Sequence, residues 1–462
     1  MKSFCLNLGF YYYSQNEMIK YLYLLLSLLF FKTGFAQKKH TERNDPEIHK
    51  NLSDSALLDL VQKQTIKYFS DFAHPVSGMA RERSNTSFDY GNEVVTTGGT
   101  GFGVMTLIVA AERKFLPRDS VANHILKILR FLNKADSYHG VFPHWMNGAT
   151  GKTIKFSRKD DGADLVETSF LFEGLLCARA YFNENNKVEN EIRSRITSLW
   201  NDVEWNWFTK NGEDVLYWHW SPNNGWSMNF PIRGYNEALI TYILAASATR
   251  YPVSADVYHK GWAMSNFFYN RKNFFGYPLP LGFDYGGPLF FAHYSFLGLD
   301  PKGLKDQYAD YWEQNKNHTL INRAYCIENP KQFKGYGENC WGLTASDDPN
   351  GYSAHSPTND DGVITPSAAL SSFPYTPEYS MQALKHFYFD LGKNIFGEYG
   401  FKDAFDETKN WIADSYLAID QGPIVVMIEN YRSGLFWKLF MNIPEIQNGL
   451  HKLGFQSPYL NK

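Results

Sequence analysis

The chain has 462 residues with a formal net charge of −3; 20% of its residues are charged and 44% are hydrophobic. This length allows a sizeable core and up to about three domains, and the charge balance excludes a basic field that would attract nucleic acid or an anionic membrane. Aromatic residues reach 17%, and many of them lie beside Gly, Pro, Asn and Asp in loop-like segments, where packing alone explains them poorly.

Residues 1–36 have the pattern of a targeting segment. Lys20 precedes the apolar run Tyr21–Phe31, and Gly34-Phe35-Ala36 supplies the small-x-small pattern of a cleavage site. The apolar run is too short to span a bilayer comfortably. Met18 is the expected true start, because the residues before it do not fit such a segment. We therefore expect an exported protein, periplasmic or extracellular, with no membrane contact after cleavage.

A flexible polar lead-in at 37–52 precedes a long series of helical patterns. Apolar residues at helical spacing indicate amphipathic helices, and runs of small and apolar residues indicate buried ones. Thr365-Pro366 and Thr376-Pro377 have the N-cap and first-turn chemistry of helix starts. The predicted helices are Ser55–Phe72, Gly98–Arg113, Asp119–Lys134, Asp164–Phe182, Val188–Phe208, Gly234–Thr249, Ala255–Phe268, Pro288–Phe296, Lys302–Ile327, Pro366–Ser372, Pro377–Leu391 and Gly422–Arg432 onward.

Apolar inner helices that alternate with amphipathic outer ones predict helical hairpins closed into a ring. The predicted fold is an all-α (α/α)6 toroid over residues 53–462, as a single domain with no internal linker. Its pocket would be built at one end by long irregular loops with small β-hairpins, for example at Val141–Trp145 and Phe274–Leu279. A two-domain α+β protein is the competing architecture. No repeat at a fixed period indicates a solenoid.

Four carboxylates crowd into a short segment, at Asp160, Asp161, Asp164 and Glu167. Asp164 and Glu167 share one face of a helix, but Asp-x-x-Glu before an apolar run is also a capping box. Asp160 and Asp161 could equally be turn formers beside a glycine. Mutual repulsion in such a cluster costs stability unless cations, hydrogen bonds or raised pKa values relieve it, which favours a functional site.

Another acid, Glu237, follows an aromatic segment and begins an apolar helix. A first-turn Glu is favourable against the helix dipole, but shielding by Tyr235, Trp226 and Trp218 would also keep its proton on near neutral pH. Cleavage of a bond between sugars requires an acid for the leaving oxygen, a carboxylate that activates water, and aromatic faces for the rings. The residues therefore predict a glycoside hydrolase. The alternatives are a polysaccharide lyase, which would want a more basic groove, and a non-catalytic glycan-binding protein, which would not need crowded carboxylates.

Other acidic segments allow several interpretations. Asp347-Asp348 and Asp360-Asp361 lie in irregular segments that could bind calcium, accept hydrogen bonds from sugar hydroxyls or form turns, and neither follows the EF-hand ligand order. Asp420 and Glu429 flank an apolar run and could supply a base that activates water.

Three of the four cysteines lie beyond the targeting segment. Cys177 lies in an apolar helical pattern and is expected to pack in the core. Cys326 and Cys340 could pair in an oxidising compartment. No Cys/His spacing is typical of a zinc site, so no metal is expected.

Four long motifs resemble the glucoamylase-like family: Gly282–Phe296, Asn339–Asp347, Phe373–Glu378 and Asp420–Gly434. Within that family the chain is most similar to the bacterial β-1,2-glucanases of glycoside hydrolase family 144, from about residue 55 to the C-terminus. The resemblance implies an (α/α)6 barrel, no cofactor, and hydrolysis of β-1,2-linked glucan with inversion. Cleavage within the chain and release of sophorose from a chain end both remain open.

The resemblance also implies that the family's acidic set falls on Asp160, Asp164, Glu167 and Glu237, with Glu237 as the proton donor. For the base, Asp160, Asp164 and Asp420 all remain candidates. The expected partner is a β-glucan oligosaccharide or polysaccharide. Residue type and position in the loops predict the sugar contacts Trp145, Trp218, Trp226, Arg233, Tyr235, His293, Tyr294 and Trp341.

Overall fold

The computed structural model describes residues 46–85 and 91–460. The predicted targeting segment and most of the predicted lead-in lie outside the described residues. Among the helices that are described, none combines the length and the apolar character needed to cross a membrane.

The regular structure is mostly helical, with short 3-10 and π turns between the longer helices. The α-helices are α1 (Asp54–Ser70), α2 (Thr97–Glu112), α3 (Arg118–Leu132), α4 (Leu165–Tyr181), α5 (Lys187–Asp202), α6 (Leu239–Ser247), α7 (Tyr311–Glu328), α8 (Pro366–Leu370), α9 (Pro377–Lys385), α10 (Gly392–Ile395), α11 (Ala418–Ser433), α12 (Leu435–Met441) and α13 (Pro444–Lys452). The 3-10 turns include Trp205–Thr209, Leu289–Ala292 and Tyr294–Phe296, and the π turns are Val257–Trp262 and His386–Asp390.

The strands form small antiparallel sheets in the loops. They are β1 (Val94–Thr96), β2 (Trp145–Asn147), β3 (Thr153–Ile154), β4 (Ala163–Asp164), β5 (His219–Trp220), β6 (Tyr269–Phe274), β7 (Tyr277–Leu281), β8 (Ala345–Asp348), β9 (Gly351–Ala354), β10 (Phe396–Gly397), β11 (Gly400–Phe401), β12 (Phe405–Asp406) and β13 (Trp411–Ile412). The sheet order is β1-β2-β3, and the other strands pair as hairpins, except that β4 pairs with β5 although α4 and α5 lie between them in the chain. The β4–β5 register places Asp164 opposite His219, which brings two distant segments together.

Inner and outer helices alternate along the chain, as the sequence predicts. The inner ring runs from α2 to α4, α6, the short helices between Leu289 and Phe296, α8 and α11, and α11 contacts α2 again. His293 and Ser372 (3.0 Å), and the hydroxyl of Tyr375 with the carbonyl of Ala292 (2.8 Å), join the short helices to the segment after α8. Helices α1, α3, α5, α7 and α9 lie outside this ring. The predicted (α/α)6 toroid is confirmed, and the α+β alternative is wrong.

Glycines allow the inner helices α2 and α4 to pack backbone against backbone. A Cβ atom at Gly101 would overlap the carbonyl of Phe170, and one at Gly174 would overlap the carbonyl of Gly101. Every residue of α2 from Thr97 to Ala111 is buried. The glycine-rich segment at the start of α2 therefore serves close packing.

Several helices begin later than the sequence predicts because side chains end the preceding loop. The predicted helix from Gly234 begins at Leu239, since the side chain of Asn236 accepts a hydrogen bond from Ala238 N (2.9 Å) in the preceding turn. The predicted helix from Lys302 begins at Tyr311, where Asp310 is the N-cap. Between residues 255 and 268 only the π turn at Val257–Trp262 forms.

The structure also decides two further predictions, one on a disulfide and one on Glu429. Cys326 and Cys340 are free thiols, so the predicted option of a disulfide is not realised. Glu429 forms an ion pair with Arg113, with 2.6 Å between Arg113 Nε and Glu429 Oε2, and bonds Ser433. Glu429 is therefore held at the carboxyl end of α11 as a structural group, and the interpretation as a base is wrong for this residue.

Candidate active site

The amino ends of the inner helices meet at one end of the ring, and buried acids lie there. The N–H of Gly98, at the start of α2, donates to Glu167 Oε2 at the start of α4 (2.8 Å). A Cβ at Gly99 would lie 2.7 Å from the Cβ of Ala418, which begins α11. Asp420 lies in the first turn of α11, and Glu237 lies just before α6. Acidic groups near helix amino ends are stabilised by the unpaired N–H groups there.

Asp164 is a buried carboxylate with both oxygens occupied. Its Oδ1 accepts hydrogen bonds from the N–H groups of Val166 (3.1 Å) and Glu167 (2.9 Å) and from Trp218 Nε1 (3.0 Å). Its Oδ2 lies 3.0 Å from His144 Nδ1. These contacts, together with the charge of His219, hold the pKa of Asp164 below its usual value despite burial. The predicted N-cap role is confirmed, but the capping box is incomplete because Glu167 turns toward Gly98.

Two histidines carry the positive charge that this acid cluster needs. His219 Nδ1 lies 3.4 Å from Asp160 Oδ2 and 3.7 Å from Asp164 Oδ2, and His144 Nε2 lies 3.9 Å from Glu167 Oε1. Burial disfavours protonation of both histidine rings, but the effect of the neighbouring carboxylates is larger. The pKa values of both histidines are therefore raised, that of His144 to about 10. No residue spacing could have indicated either histidine, because their partners lie on other segments of the chain.

Asp161 has a structural place beside this cluster. Its carboxylate accepts hydrogen bonds from Ser221, Asn223 (2.8 Å) and Asn224 (3.3 Å), and these bonds lower its pKa. It therefore fixes the loop after β5 in the manner of a turn former, as one of the two sequence interpretations predicts.

Glu237 and Glu167 are the acids at this end whose pKa values are raised. Burial, followed by the nearby charges of Glu167 and Asp164, raises the pKa of Glu237 to about 7. Burial also raises the pKa of Glu167, against the charge of His144. The side chain of Glu237 keeps part of its surface accessible, so it can meet a ligand. Its predicted place in the first helical turn is wrong, because the loop ends two residues later.

A second carboxyl cluster is linked to the first through Tyr294. Burial raises the pKa of Tyr294 well above its usual value, and the charges of Asp420, Glu167 and Glu237 all add to that rise. Acids of both clusters therefore lie near Tyr294. Burial also raises the pKa of Asp420, to about 7, although Ser367 Oγ donates to its Oδ1 (3.1 Å).

The second cluster contains groups that the sequence interpretation did not identify. Arg83 forms a two-pronged ion pair with Asp347 (3.0 and 3.1 Å), and Asp347 N–H donates to Asp403 Oδ2 (2.7 Å). Ser415 also donates to Asp347. Arg83 and Asp403 lie 320 positions apart, so no local pattern could have linked them. The ion pair with Arg83 decides against a calcium loop at Asp347, because the carboxylate is already neutralised.

One group near the first acid cluster has the donor set for a cation. His144, Asp160 and Asp164 can each present one atom, and these atoms lie within 4.8 Å of one another. The contacts of His144 already neutralise Asp164, however, so the described arrangement needs no metal to balance its charge. Cys340, His386 and Glu407 form a similar group elsewhere.

The predicted sugar contacts divide into residues near the acids and residues in the core. Trp218 and Tyr294 contact or face the acids, and Trp145 packs on His144. Trp226 packs against Trp207, and Arg233 is exposed. The remaining three predictions are wrong as sugar-facing positions because the side chains are enclosed in the core, namely Trp341, Tyr235 and His293. The hydroxyl of Tyr235 bonds Asn315 there, so it also does not shield Glu237 as predicted.

Comparisons with known proteins identify the family of the chain. The family model named Glycoamylase matches residues 229–444. A crystal structure of a candidate glucoamylase from Bacteroides uniformis is 64% identical, with a TM-score of 0.88, covering 89% of this chain and all of that one. The chain belongs to the glucoamylase-like family. It falls among the members of glycoside hydrolase family 144.

Two relatives in this family have named activities. An endo-β-1,2-glucanase from Chitinophaga pinensis, solved with sophorotriose and glucose, is 57% identical, with a TM-score of 0.87 over 89% of this chain and 100% of that chain. An exo-β-1,2-glucooligosaccharide sophorohydrolase from Parabacteroides distasonis is 44% identical over 87% of this chain. This glucoamylase-like chain spans 58% of the length of that curated relative.

The pairing of Asp164 with His144 predicts a pH-dependent loss of stability in Asp164→Asn. The folded pKa of His144 lies above its unfolded value of about 6.5, so its contribution is complete below that pH and is lost as pH rises toward 10. Asn keeps the N-cap acceptor but not the charge. The free energy of unfolding should therefore fall by about 1–2 kcal/mol at pH 6 and by clearly less at pH 10.

Denaturant titration at the two pH values measures this difference. The exposed Asp202→Asn serves as the matched control and should change stability little at either pH. An equal loss at both pH values in Asp164→Asn would show that His144 does not draw its charge from this carboxylate.

Proposed function

We propose that this protein is a glycoside hydrolase that cleaves β-1,2-glucan within the chain and inverts the anomeric centre. The substrate is supported by the named activities of the relatives, above all the Chitinophaga pinensis enzyme. The match covers the whole length of that enzyme's chain. A neutral glucan also suits a chain whose net charge is only −3. The polysaccharide lyase alternative would require a basic groove, whereas carboxyl groups dominate this site.

The observation that carries the proposal is a pair of carboxyl groups from distant segments, Glu237 just before α6 and Asp420 in α11, which both lie near enough to Tyr294 to raise its pKa. Both pKa values lie at about 7. A general acid and a general base work best when their pKa values lie near the working pH. Glu237 would donate its proton to the departing glycosidic oxygen, and ionised Asp420 would accept a proton from water.

Asp420 is a better base than the other two candidates from the sequence. Both oxygens of Asp164 already have hydrogen-bond partners among Val166, Glu167, Trp218 and His144, so it orients Trp218 and His144 instead. Asp160 is engaged by His219, whose Nδ1 lies 3.4 Å from Asp160 Oδ2. Asp420, in contrast, forms no ion pair with a described residue, and its neighbours are the hydroxyl of Ser367 and the carboxyl group of Asp403.

The proposed reaction proceeds through three linked events. Trp145 and Trp218 would hold glucose rings beside the acid cluster, because aromatic faces pack on the apolar face of a pyranose. Glu237 protonates the leaving oxygen as the bond to the anomeric carbon breaks. Asp420 deprotonates the attacking water, directly or through a substrate hydroxyl, from the opposite face. Inverting enzymes separate the two carboxyls by roughly 6.5–9.5 Å to admit that water.

Glu237→Gln tests the acid. The substitution should lower kcat on linear β-1,2-glucan by at least about 10²-fold, because the amide cannot protonate the leaving oxygen. An aryl β-sophoroside has a leaving group that needs no proton, so its hydrolysis should fall much less and should lose its alkaline limb near pH 7. Glu112→Gln, at the far end of α2, is the control and should behave as the native protein does. Near-normal activity of Glu237→Gln on the glucan would remove Glu237 from the mechanism.

Product analysis tests the substrate and the stereochemistry. Brief digestion of long β-1,2-glucan should yield a ladder of oligomers, and proton NMR should detect the α-anomer first. Disaccharide alone from the outset would show cleavage from a chain end, and an initial β-anomer would show retention. A product that absorbs ultraviolet light would indicate elimination by a lyase.

We also propose that the protein is exported, on the strength of the targeting pattern before Gln37. The mature protein isolated from its native host should begin at Gln37 on N-terminal sequencing. A mature chain that still contains Lys20 would contradict cleavage at the predicted site.

A further inference from the structure

We propose that Asp403 is a positioning residue for the reaction: its carboxyl group holds a proton against Asp420 and so keeps Asp420 ionised and oriented as the base. This inference rests on the proposed function, because it assigns a partner to the base named there. Asp403 itself touches neither the substrate nor the water, and its proton stays on Asp403 throughout the reaction.

The geometry pairs the two carboxyl groups in a buried place. Asp403 and Asp420 are 2% and 3% exposed, and their carboxyl groups lie in hydrogen-bonding contact. One oxygen of each is already satisfied, Asp403 Oδ2 by the N–H of Asp347 (2.7 Å) and Asp420 Oδ1 by Ser367 Oγ (3.1 Å). The other oxygens, Asp403 Oδ1 and Asp420 Oδ2, receive no donor from the described residues. Two buried carboxylates in contact cannot both be ionised, and one shared proton satisfies both remaining oxygens.

The proton belongs on Asp403 and the charge on Asp420, for reasons visible in the fold. Asp420 lies in the first turn of α11, where the free N–H groups of a helix stabilise an anion. It also accepts the hydroxyl of Ser367, a bond that favours the charged form. Asp403 lies outside any helix, and burial together with the charges of Asp420 and Asp347 raises its pKa well above the usual value.

The groups around the pair leave it with a single negative charge. Arg83 is bound to Asp347 and to Glu82, so its charge is shared between those two acids. Tyr352 stays neutral, because burial and then the charges of Asp420 and Asp403 raise its pKa well above the ordinary value. Tyr294 is neutral for similar reasons. A second negative charge on the pair would therefore face no free cation among the described residues.

Asn at position 403 is the structural equivalent of protonated Asp. Its side-chain oxygen can accept from the N–H of Asp347, and its amide can donate to Asp420 Oδ2, so both contacts survive without a titrating group. Ala removes the donor to Asp420. Without that donor, burial of the Asp420 carboxylate is less well compensated and its pKa should rise.

The experiment compares the pH dependence of kcat/KM on linear β-1,2-glucan for Asp403→Asn and Asp403→Ala in the full chain. We expect Asp403→Asn to stay within about threefold of the native enzyme with an unchanged acidic limb. Asp403→Ala should lose at least about tenfold near pH 6, with the acidic limb shifted up by about one pH unit and partial recovery at higher pH. Circular dichroism and thermal unfolding confirm that each variant is folded at the assay temperature.

Every other pattern overturns the inference. Equal loss in both variants means that position 403 must be ionised, and native behaviour in both means that the contact has no effect on the base. Loss in Asp403→Asn alone is equally incompatible. Asp406→Asn is the matched control, since Asp406 is buried on the same segment but pairs with Lys409, and its acidic limb should not move.

Asp420→Asn separates this inference from the proposed function. It should abolish turnover of the glucan while the protein remains folded. If Asp420→Asn keeps native activity, the assignment of the base fails, whatever the Asp403 variants do. If Asp420→Asn is inactive and the Asp403 variants follow one of the excluded patterns, only the role of Asp403 fails.

Discussion

The burial of several carboxyl groups at one end of the helical ring is the constraint on which the rest of the structure depends. An ionised acid removed from water is costly unless hydrogen bonds or opposite charges replace its hydration. Here the replacements are of three kinds: N–H groups at helix starts, as at Gly98 for Glu167; histidines, as at His144 for Asp164; and the ion pair of Arg83 with Asp347. Where none of these suffices, the acid keeps a proton, as Glu237 does.

The inner helices make that arrangement possible through their packing. Gly101 and Gly174 let α2 and α4 approach until their backbones touch, and this approach carries Gly98 to the carboxylate of Glu167. A larger residue at Gly98 would place its Cβ 2.6 Å from that same carboxylate. The glycines of α2 and α4 therefore contribute both to the close packing of the core and to the electrostatics of the site.

The parts of this fold that follow local rules could be predicted from the sequence. The helices of the ring and the N-cap at Asp164 follow from apolar spacing and local hydrogen bonding. Residues brought together by the fold could not be predicted. The first turn of α6 is bonded by Ser295 from another segment, which accepts from the N–H of Ile240, and Trp341 looked like a loop residue although it is fully buried. Such cases depend on contacts between segments, which no pattern within one segment records.

The two acid clusters are both buried, but their neighbouring groups favour opposite protonation states. Around Glu237 the nearest charged groups are carboxylates, Glu167 and Asp164, and both oppose ionisation. Around Asp420 a hydroxyl and a second carboxyl group bond the charged form and favour ionisation against burial. Two acids whose pKa values both lie near neutrality can thus hold different protonation states together, because each sits among neighbours that bias it in its own direction. A protein that holds one acid protonated and another ionised at a single pH must surround each acid with different neighbouring groups. Those groups come from separate helices, and the closed ring brings the helices together.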